Sequence, residues 1–507
     1  MTAQRPGVPV TRPILPTGLR RRSGVADVAF RTGRQKMATG VSCCRTDSRA
    51  MAERVAKEEI HWAFTAIAPP KCTKLEGAVD VDVLVIGAGL TGCRTALGLA
   101  DAGASVAVVD SKDIGWGASG RSGGQCNPIW RKTPQELVER LGPRHGETLI
   151  KTTLTAANDL FSDIRKYDVD CDPVQAGWIQ AAHARNAARN MSALGKAWAA
   201  AGADIVELDG DAVRAASGSP AYSFALRHAA GGHVQPLSLT RGYARAAAAL
   251  GAQLFKETSM ASLERANGKW RARSDKGEII AENVVVTTNA YTNGLWPGLR
   301  KTFHPLVSII VATDPLSDTQ QKEILPGKVT ISDSRLAIFY SRYDRDGRLI
   351  FGCAGSSDTV DALGGYARLR RGLKTVFPQL ADIPIARKWA GRIAVTPEMM
   401  PHLHEPAPGV LAGIGFSGRG IAMTSVMGRA LSAKLLGTPA DDLPFPIVPI
   451  APLPFHGLTR RLIPLAAPAM TMKDRFDTLM DGAWRQKGAQ ATPKRRETDD
   501  NPGKTLR

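Results

Sequence analysis

Three glycine-rich segments carry the residue types that could bind a phosphorylated cofactor. The first, Gly87 to Gly92, has the sequence GAGLTG, and Asp110 follows it at the spacing of a dinucleotide-binding motif. In G-x-G-x-x-G the first glycine permits a tight turn, the second lets the backbone approach a pyrophosphate, and the third lets a helix pack closely on a strand. A carboxylate at Asp110 would accept hydrogen bonds from ribose hydroxyls, which favours NAD or FAD over NADP.

The second segment, Gly117 to Gln125, has the sequence GASGRSGGQ. Glycine allows positive φ and close approach of the backbone to a ligand, so this composition suits a loop around a flat or anionic group. A flexible linker is the alternative interpretation, but the segment follows soon after Asp110. We therefore expect it to lie over the pyrophosphate and the reactive ring of the cofactor.

The third segment, Gly415 to Ile421, has the sequence GFSGRGI and joins a predicted strand at 409–415 to a predicted helix at 421–436. A strand that leads through glycines into a helix presents free N–H groups and the positive end of the helix dipole to the space in front of it. Arg419 adds a cation to this turn. The arginine either supports negative charge there or points outward.

The elements that must position these segments are those of an α/β fold. The apolar run Val81–Ile86 predicts a buried parallel strand, 90–100 an amphipathic helix, and Val106–Val109 a second strand. A helix at Leu239–Leu250 and a strand at Ile279–Thr287 extend the same unit. We therefore predict a Rossmann-like cofactor domain.

A different pattern follows the cofactor elements. Short strands separated by polar and glycine-containing turns occupy Lys301–Lys388 and predict an antiparallel sheet in a second domain. These strands are predicted at Val307–Thr313, Lys328–Ser332, Ala337–Arg342 and Arg348–Cys353.

The distribution of charge decides whether the basic composition indicates nucleic-acid binding. The net charge is +19, of which residues 1–50 carry +8 and residues 471–507 carry +3, leaving +8 for the 420 residues between. Charged polar ends are usually solvated tails, so we predict no nucleic-acid partner. We also predict no membrane span, because no apolar run reaches the ~18 residues that a span needs.

The N-terminal residues give a weaker signal than the body of the chain. Residues 1–50 are rich in arginine and resemble a transit peptide in composition, but prolines break the helix that such a peptide needs. We favour a disordered or mis-assigned extension. Met51–Ala68 is predicted to be a helix that ends at Pro69.

Cysteine usage indicates a reducing compartment. The chain has seven cysteines, an odd number, and lacks the spacings of a disulfide framework or a zinc site. We therefore predict a cytoplasmic protein without a metal site.

The segments IGAGLTG and GASGRSGGQ, with the acid between them, resemble the D-amino-acid-oxidase-like superfamily of FAD-dependent oxidoreductases, and within it the γ-glutamylputrescine-oxidoreductase-like amine oxidases. That group is similar in having GASGRNGGQ, so Ser122 departs from its usual Asn. Met260 stands where the family has a Val whose backbone contacts adenine. Similar segments at 287–292, 389–398 and 415–423 extend the resemblance over about 55–480, with the motifs in matching order.

The resemblance implies an enzyme that oxidises the C–N bond of an amine or amino acid. A hydride would pass to flavin N5, the imine would hydrolyse to a carbonyl, and dioxygen or another acceptor would reoxidise the flavin. Such chemistry needs orientation and an anion-stabilising pocket more than an acid–base pair. We name no catalytic residue. Candidates to hold a polar substrate are Arg335, Tyr340, Arg342, Tyr343 and Arg392.

Two further side chains could have a chemical role, but a structural role is the favoured interpretation for each. Cys126 lies at a position from which it could attach the flavin covalently, but a small buried cysteine is the favoured interpretation. His233 could act as a base, but a histidine just before a proline turn is more often structural.

The predicted domains interleave along the chain. The FAD-binding domain comprises 51–150 with 231–300 and 389–440, and the substrate domain comprises 151–230 with 301–388. A proline-rich segment that wraps the surface and a polar, disordered tail are predicted for 441–507.

The residues predicted to bind FAD come from the three glycine segments, from the two residues at the end of the second predicted strand, and from three positions similar to those of the family. They are Gly87, Ala88, Gly89, Thr91, Gly92, Asp110, Ser111, Gly117, Ala118, Ser119, Gly120, Arg121, Ser122, Gly123, Gly124, Gln125, Met260, Thr288, Asn289, Gly415, Ser417, Gly418, Arg419, Gly420 and Ile421.

Two other classes of function remain open from the residues. A nicotinamide-dependent dehydrogenase would share the first glycine motif but would not need the second and third segments. An RNA-modifying or noncatalytic FAD-binding protein would use the basic ends to hold nucleic acid.

Overall fold

The computed structural model describes residues 57–490 of the chain, with side chains over 58–481. The extension predicted at 1–50 lies outside the described residues. The described strands are β1 (Lys57–Glu58), β2 (Gly77–Ile86), β3 (Val106–Val109), β4 (Gln125–Cys126), β5 (Trp178–Ala181), β6 (Ile205–Asp209), β7 (Phe224–His228), β8 (Gly232–His233), β9 (Gln253–Phe255), β10 (Ser262–Ala266), β11 (Lys269–Arg273), β12 (Gly277–Val286), β13 (His304–Pro315), β14 (Thr330–Asp333), β15 (Tyr340–Tyr343), β16 (Arg348–Gly355), β17 (Ile385–Val395), β18 (His402–Ala407) and β19 (Val410–Ile414).

Helices cover the sheets and support the ends of their strands. The described α-helices are α1 (Trp62–Thr65), α2 (Leu90–Asp101), α3 (Pro134–Lys166), α4 (Arg185–Ala200), α5 (Gly210–Ser217), α6 (Pro236–Ala249), α7 (Asp318–Glu323), α8 (Gly365–Val376), α9 (Gly420–Leu435), α10 (His456–Leu462) and α11 (Ala466–Gln490).

An eight-stranded sheet has the order β10-β11-β12-β2-β3-β9, and β19 and β18 continue from β12. Strand β2 lies between β12 and β3 in parallel, and Val83 pairs with Asn283 on one side and Val106 on the other. Its last four residues are all buried. Val83 and Val85 pack in the core that contains α2, whereas Leu84 and Ile86 pack on the other face in a core that contains Trp270. Helix α2 packs against α6 and α9 on one face. The predicted Rossmann-like unit is confirmed.

A nine-stranded sheet has the order β1-β17-β13-β16-β15-β14-β5-β7-β6. Most neighbours are antiparallel, as predicted, but β14 runs parallel to β5 and β1 runs parallel to β17. Strand β13 pairs with β16 and β17 along almost its full length, so it is an interior strand of this sheet. The second core of buried apolar side chains, which includes Ile309 and Phe351, packs around it.

Two of the sequence predictions about the chain ends are wrong. The segment predicted as a helix over Met51–Ala68 forms only β1 and the four-residue α1 in its described part. Trp62 is fully buried there, so tertiary packing overrides the local helical pattern. At the other end, α11 continues to Gln490, where a disordered tail was predicted from Asp481 onward.

Candidate active site

A cavity of about 570 Å³ lies where the carboxyl ends of β2, β3 and β12 face the nine-stranded sheet. Ligands of open α/β sheets bind outside the carboxyl ends of the strands, and this volume lies within the usual range for ligand sites. All three glycine segments contribute to its wall. Ser308 of β13 and Tyr340 of β15 line the opposite side.

The first glycine segment is packed so closely that side chains would not fit. A Cβ on Gly92 would lie 1.9 Å from the Gly87 carbonyl oxygen, and a Cβ on Gly89 would lie 2.9 Å from Ser119 Oγ. Gly87 has φ of +108°, which L side chains rarely adopt. Ser119 Oγ accepts a hydrogen bond from the Leu90 N–H at 2.9 Å, so the second glycine segment is joined to the start of α2.

Asp110 is fixed at the end of β3 by two backbone donors. Its Oδ2 accepts from the Ala88 N–H and its Oδ1 accepts from the Lys112 N–H, each at 2.9 Å. Burial raises the pKa of Asp110, although both hydrogen bonds oppose that shift. Each carboxylate oxygen keeps lone pairs for a further donor, so the predicted role toward ribose hydroxyls fits this geometry.

Three consecutive carbonyl groups of the second glycine segment are held from outside the cavity. Trp389 Nε1 donates to the Arg121 carbonyl at 2.8 Å, and Trp62 Nε1 donates to the Ser122 carbonyl at 2.8 Å. Arg342 Nε donates to the Gly123 carbonyl at 2.9 Å. The three donors come from β17, α1 and β15, so elements distant in sequence determine the loop's path. We call this set the loop clamp.

Arg342 is buried and has no surface in the cavity, so the substrate contact considered for it is wrong. It also donates to the carbonyls of Tyr343 at 2.7 Å and Val234 at 2.8 Å, and its guanidinium carbon lies 4.4 Å from the Trp62 ring centre. Burial lowers the pKa of Arg342 to about 10. Arg342 is therefore a positioning residue of the loop.

Of the other substrate candidates, Tyr340 lines the cavity and Tyr343 does not. Tyr340 Oη is hydrogen-bonded to Ser308 Oγ at 2.7 Å, and its ring lies so close to Gly352 that a Cβ there would be 2.2 Å from Cζ. Burial raises the pKa of Tyr340. Tyr343 Oη donates to the Ile324 carbonyl at 2.9 Å on the far side of the sheet.

Arg335 and Arg392 are already paired with acids. Arg335 is ion-paired with buried Asp333 and lies outside the cavity wall. Arg392 lines the cavity, but its Nε donates to Asp358 Oδ1 at 3.0 Å. Neither arginine is free to bind a substrate anion without exchanging its carboxylate partner.

Hydrogen bonds join the third glycine segment to Asn289, which follows β12, and to Thr396, which follows β17. Asn289 Oδ1 accepts from the Gly415 N–H at 2.9 Å, and Ser417 Oγ accepts from the Thr396 N–H at 3.2 Å. Arg419 does not line the cavity. Its guanidinium instead donates to the Ile129 carbonyl and lies 5.5 Å from the Trp178 ring centre.

All but five of the residues predicted to bind FAD line the cavity. The other five support its wall. At Gly92 and Gly120 the packing is so close that a Cβ would collide with a carbonyl oxygen. Ala88, Gly415 and Arg419 each make a hydrogen bond, to Asp110, Asn289 and the Ile129 carbonyl respectively.

Sequence reasoning missed Arg131 and Asn127, which follow the second glycine segment and line the cavity. The available signal was a cation directly after the apolar run Pro128 to Trp130. It was missed because a lone arginine after a loop is usually a surface residue.

The first turns of α11 also line the cavity, through Ala466, Ala467 and Met470. Asp474 in the same helix accepts from the N–H groups of Leu336 and Ala337 at 2.8 and 2.9 Å, which fixes α11 against the β14–β15 turn. The sequence predicted only a surface wrap here. The C-terminal region is therefore part of the cavity wall.

The polar atoms of the cavity, like its glycines, fit a dinucleotide that carries a flat ring. Ser122 Oγ and Asn127 Oδ1 are buried, line the cavity and have no hydrogen-bond partner among the described residues. Buried polar atoms of this kind are rare unless a ligand or water pairs with them. The residues present therefore suit FAD.

Cys126 and His233 do not line the cavity. Burial raises the pKa of the Cys126 thiol to about 12, so the reactive thiolate is disfavoured. Burial lowers the pKa of His233, and the ring packs beside β4 as a neutral group. Both side chains have the structural role that the sequence favoured.

Comparison with known proteins connects this geometry to an enzyme family. The profile described as "DAO: FAD dependent oxidoreductase" matches residues 82–434. "Probable oxidoreductase OrdL" of Haemophilus influenzae is 31% identical, over 73% of this chain and 85% of that protein. "Gamma-glutamylputrescine oxidoreductase" of Escherichia coli is 28% identical, over 79% of this chain and 95% of that protein.

Solved structures share the fold. Glycine oxidase from Geobacillus kaustophilus superimposes with a TM-score of 0.62 at 21% identity, covering 73% of this chain and 99% of that one. L-Amino acid deaminase from Proteus myxofaciens superimposes with a TM-score of 0.60 at 16% identity, covering 74% of this chain and 94% of that one. At these identities the likeness concerns the fold alone.

Proposed function

The chain belongs to the family of FAD-dependent oxidoreductases, and from this premise we propose that it oxidises the C–N bond of a small amine or amino acid. Two named relatives, γ-glutamylputrescine oxidoreductase and glycine oxidase, support this class of substrate. The dependence on FAD removes the nicotinamide dehydrogenase from the alternatives.

We propose that the predicted cofactor residues hold FAD along the cavity. Gly87 to Gly92 and the N-terminus of α2 would bind the pyrophosphate, and Asp110 would accept from a ribose hydroxyl. The second glycine segment would lie against the flavin ring, held in place by the loop clamp. The N-terminus of α9 would favour negative charge on that ring. When bound, FAD supplies the acceptor for the hydride.

The observation that carries the proposal is the composition of the cavity wall, in which no described carboxylate or imidazole lies at the substrate side. Among the described residues that line the cavity, Asp110 is the one carboxylate, and no histidine, lysine, glutamate or cysteine joins it. Asp110 lies at the cofactor motif with both oxygens hydrogen-bonded. Removal of hydride from carbon beside a neutral amine needs orientation and water exclusion, which Tyr340 and the aliphatic walls provide.

We propose that the two sheets correspond to a cofactor domain and a substrate domain. The eight-stranded sheet draws on 77–109, 253–286 and 402–414, which supports the predicted interleaving. Strand β17 pairs within the nine-stranded sheet, so we place the third cofactor stretch after Val395.

We propose dioxygen as the electron acceptor and the cytoplasm as the compartment. Five described cysteines are unpaired, four of them buried, which supports a reducing environment. Within residues 57–490, no helix combines the length and apolar character needed to cross a membrane. We continue to predict that the protein has no nucleic-acid partner.

A panel of amines and amino acids tests the function. Purified holoprotein is mixed anaerobically with each compound, and flavin absorbance is followed. We expect bleaching by at least one primary or secondary amine, and release of hydrogen peroxide once air is admitted.

Alcohols and hydroxy acids of matching carbon skeleton serve as controls in the same assay. Bleaching by hydroxy acids but by no amine would contradict the proposal. Bleaching by amines without peroxide in air would retain C–N oxidation and reject dioxygen as acceptor.

A further inference from the structure

The surface of the C-terminal helices exposes an unusual number of large apolar side chains. Of the sixteen that the described residues expose, eight lie within the 26 residues 455–480. Phe455 is 80% exposed and Leu479 is 72% exposed, so these side chains contact water rather than a core. Single apolar residues are ordinary on a protein surface, but a contiguous group of them marks an interaction site or an aggregation risk.

Six of these side chains recur at helical intervals, and we call them the apolar stripe. They are Leu458, Leu462, Leu465, Met472, Phe476 and Leu479. The chain stays helical from α10 through a 3₁₀ turn at Ile463–Leu465 into α11. Intervals of three, four and seven residues keep side chains on one side of a helix, so the stripe follows a single face. In α11 the opposite side holds the buried residues Ala467 and Asp474.

Exposed cations border the stripe along α11. At about 100° of rotation per residue, Lys473 and Arg475 lie on opposite sides of Phe476 around the helix axis. Lys473 is paired with Asp477 at 2.6 Å, whereas Arg475 has no salt bridge to any residue that the structure describes. Long basic side chains beside an apolar face can extend their charged ends to the polar side of an interface. This arrangement is typical of a helix that lies in the surface layer of a membrane.

A second cavity, of about 310 Å³, adjoins α10 and is also cationic. Arg300 and Arg460 line it, and both are exposed and make no salt bridge within the described part of the chain. Among the described residues of its wall, Asp358 is the one carboxylate, and Arg392 already pairs with it. The buried Ser356 Oγ of the same wall has no hydrogen-bond partner among those residues. The charge of the two exposed arginines is therefore left for an anion from outside the protein.

The acidic side chains of α11 leave this positive charge in place. Asp474 is buried, and its two oxygens accept from the backbone N–H groups that fix α11. Asp477 is paired with Lys473. Asp481 Oδ1 lies 3.7 Å from Arg185 Nε of α4. The face that carries the stripe is therefore apolar along its centre and positively charged at its borders.

The charge of this face decides between the occupants that could cover the stripe. A second copy of the chain would bring the same cations to the contact, and residues 1–50 carry a net charge of +8. Like charges repel, so neither of these is a favoured partner. An anionic lipid surface offers hydrocarbon to the stripe and negative headgroups to the cations beside it.

We propose that the apolar stripe and its bordering cations dock this protein on an anionic lipid surface. The stripe enters the boundary between headgroups and acyl chains, and Arg300, Arg460 and Arg475 contact lipid phosphates. Docking of this kind places a helix in the plane of the surface and needs no spanning segment. Met470 of α11 lines the main cavity, so the docked face lies beside the cavity wall.

Sedimentation with vesicles tests the docking surface. Holoprotein is mixed with vesicles of phosphatidylcholine alone or of equal parts phosphatidylcholine and phosphatidylglycerol, and the bound fraction is measured against lipid concentration. We expect tight binding to the anionic vesicles and weak binding to the neutral ones. Raising the salt concentration should weaken the binding to anionic vesicles, because salt screens the exposed cations.

Two double variants separate the apolar contribution from the charged one. Phe476→Ser with Leu479→Ser shortens the stripe and should weaken binding to anionic vesicles about 30-fold or more, through the loss of buried apolar area. Arg460→Gln with Arg475→Gln should weaken that binding about 25-fold, since each cation near an anionic surface contributes about 5-fold. The salt dependence of binding should also be smaller after the loss of the two arginines.

Matched double variants control for composition and folding. Leu250→Ser with Leu436→Ser removes two exposed leucines that directly follow α6 and α9. Arg140→Gln with Arg371→Gln removes two exposed arginines, of α3 and α8. Neither control should change the binding to vesicles. All the substituted side chains are exposed, so the melting temperature and flavin content of every variant should match those of wild type.

Four results would overturn the proposal. One is the absence of binding to either kind of vesicle by the wild-type holoprotein. A second is binding that Phe476→Ser with Leu479→Ser leaves unchanged, which would assign the contact to another surface. A third is equal, salt-independent binding to neutral and anionic vesicles, which would remove the role of the cations. A fourth is a dimer in lipid-free solution, seen by light scattering, that the same stripe variant dissociates, which would make a second copy the occupant.

Docking does not depend on the proposed function, and the two fail by different observations. If anionic vesicles bind wild type but not the stripe variant, while no amine bleaches the flavin, docking is supported and C–N oxidation is rejected. If amines bleach the flavin while the stripe variant binds vesicles as wild type does, C–N oxidation is supported and docking is rejected.

Discussion

The two ends of the cavity differ in how their polar groups are satisfied. Around the second glycine segment, the carbonyls of Arg121, Ser122 and Gly123 each accept a hydrogen bond from a buried side chain. At the other end, the buried Asn127 Oδ1 faces the cavity without a hydrogen-bond partner among the described residues. The backbone of the loop is therefore held before any ligand arrives, whereas Asn127 Oδ1 and Ser122 Oγ keep a free hydrogen-bonding group for one.

The difference has a physical reason. A cofactor that stays bound gains affinity when the loop around it is held in one conformation, because less flexibility is lost on binding. A substrate binds and leaves in each turnover, and it is recognised by polar groups that have no hydrogen-bond partner inside the protein. The first predictions alter the loop clamp and its support, and the later ones alter side chains that face the cavity.

Arg342→Met should have the largest effect. It leaves the carbonyls of Gly123, Val234 and Tyr343 buried without their donor, which should lower the free energy of unfolding by about 3–5 kcal/mol. Chemical denaturation measures the change. The exposed Arg371→Met in α8 is the matched control, and an equal loss in both variants would show that the clamp does not depend on Arg342.

Trp62→Phe should weaken both stability and FAD binding, because it removes the N–H donor to the Ser122 carbonyl. We expect a loss of about 1–3 kcal/mol in unfolding free energy, with a higher Kd for FAD by fluorescence titration. Trp270→Phe removes a comparable bond, to the Pro408 carbonyl at 3.2 Å away from the cavity. If both variants change the Kd equally, the clamp has no special relation to the cofactor.

Asp344→Asn tests a buried support beside the clamp, where Asp344 Oδ2 lies 2.7 Å from His61 Nε2. Burial alone would raise the pKa of Asp344, but bonds from His61 and the Arg348 N–H outweigh it and lower that pKa. A lowered folded pKa gives stability above the unfolded value of about 3.9 that is lost as pH falls through the folded pKa. The gap to wild type should be about 2 kcal/mol at neutral pH and shrink below about pH 4. A pH-independent gap would contradict the role of charge.

Ser122→Ala removes a polar atom that the protein itself leaves unpaired. If a ligand is its partner, unfolding of the apoprotein should be unchanged, while the Kd for FAD should rise by about 5-fold, the loss of one hydrogen bond. Ser122→Asn, which restores the residue of the similar family loop, should bind FAD at least as well as wild type. If Ser122→Ala instead destabilises the apoprotein, Ser122 Oγ has a hydrogen-bond partner inside the protein.

Arg392→Gln should have the smallest effect. Its ion pair with Asp358 is partly exposed, and such pairs contribute about 0–1 kcal/mol. We expect the free energy of unfolding and the Kd for FAD to change little, as measured by chemical denaturation and fluorescence titration. A loss of stability well above this range would show that the ion pair supports the cavity wall.

The parts of the fold that were predictable are those whose signal is local. Strand β3 has the predicted bounds, and β2 and α2 differ from their predicted bounds by a few residues at one end. Their apolar runs and glycine spacing arise within one stretch of chain, so neighbouring residues suffice to specify them. By contrast, Met51–Ala68 has a helical pattern, yet Trp62 is used to fix a distant loop.

The sequence by itself determined the cofactor motif, because Gly87, Gly89, Gly92 and Asp110 act through backbone geometry that their own spacing sets. Only the tertiary structure decided which arginines have partners inside the protein. Arg335, Arg342 and Arg392 were equivalent candidates in sequence, and partners contributed by the folded chain occupy all three. Pairing depends on neighbours in space, and residue type alone does not reveal them.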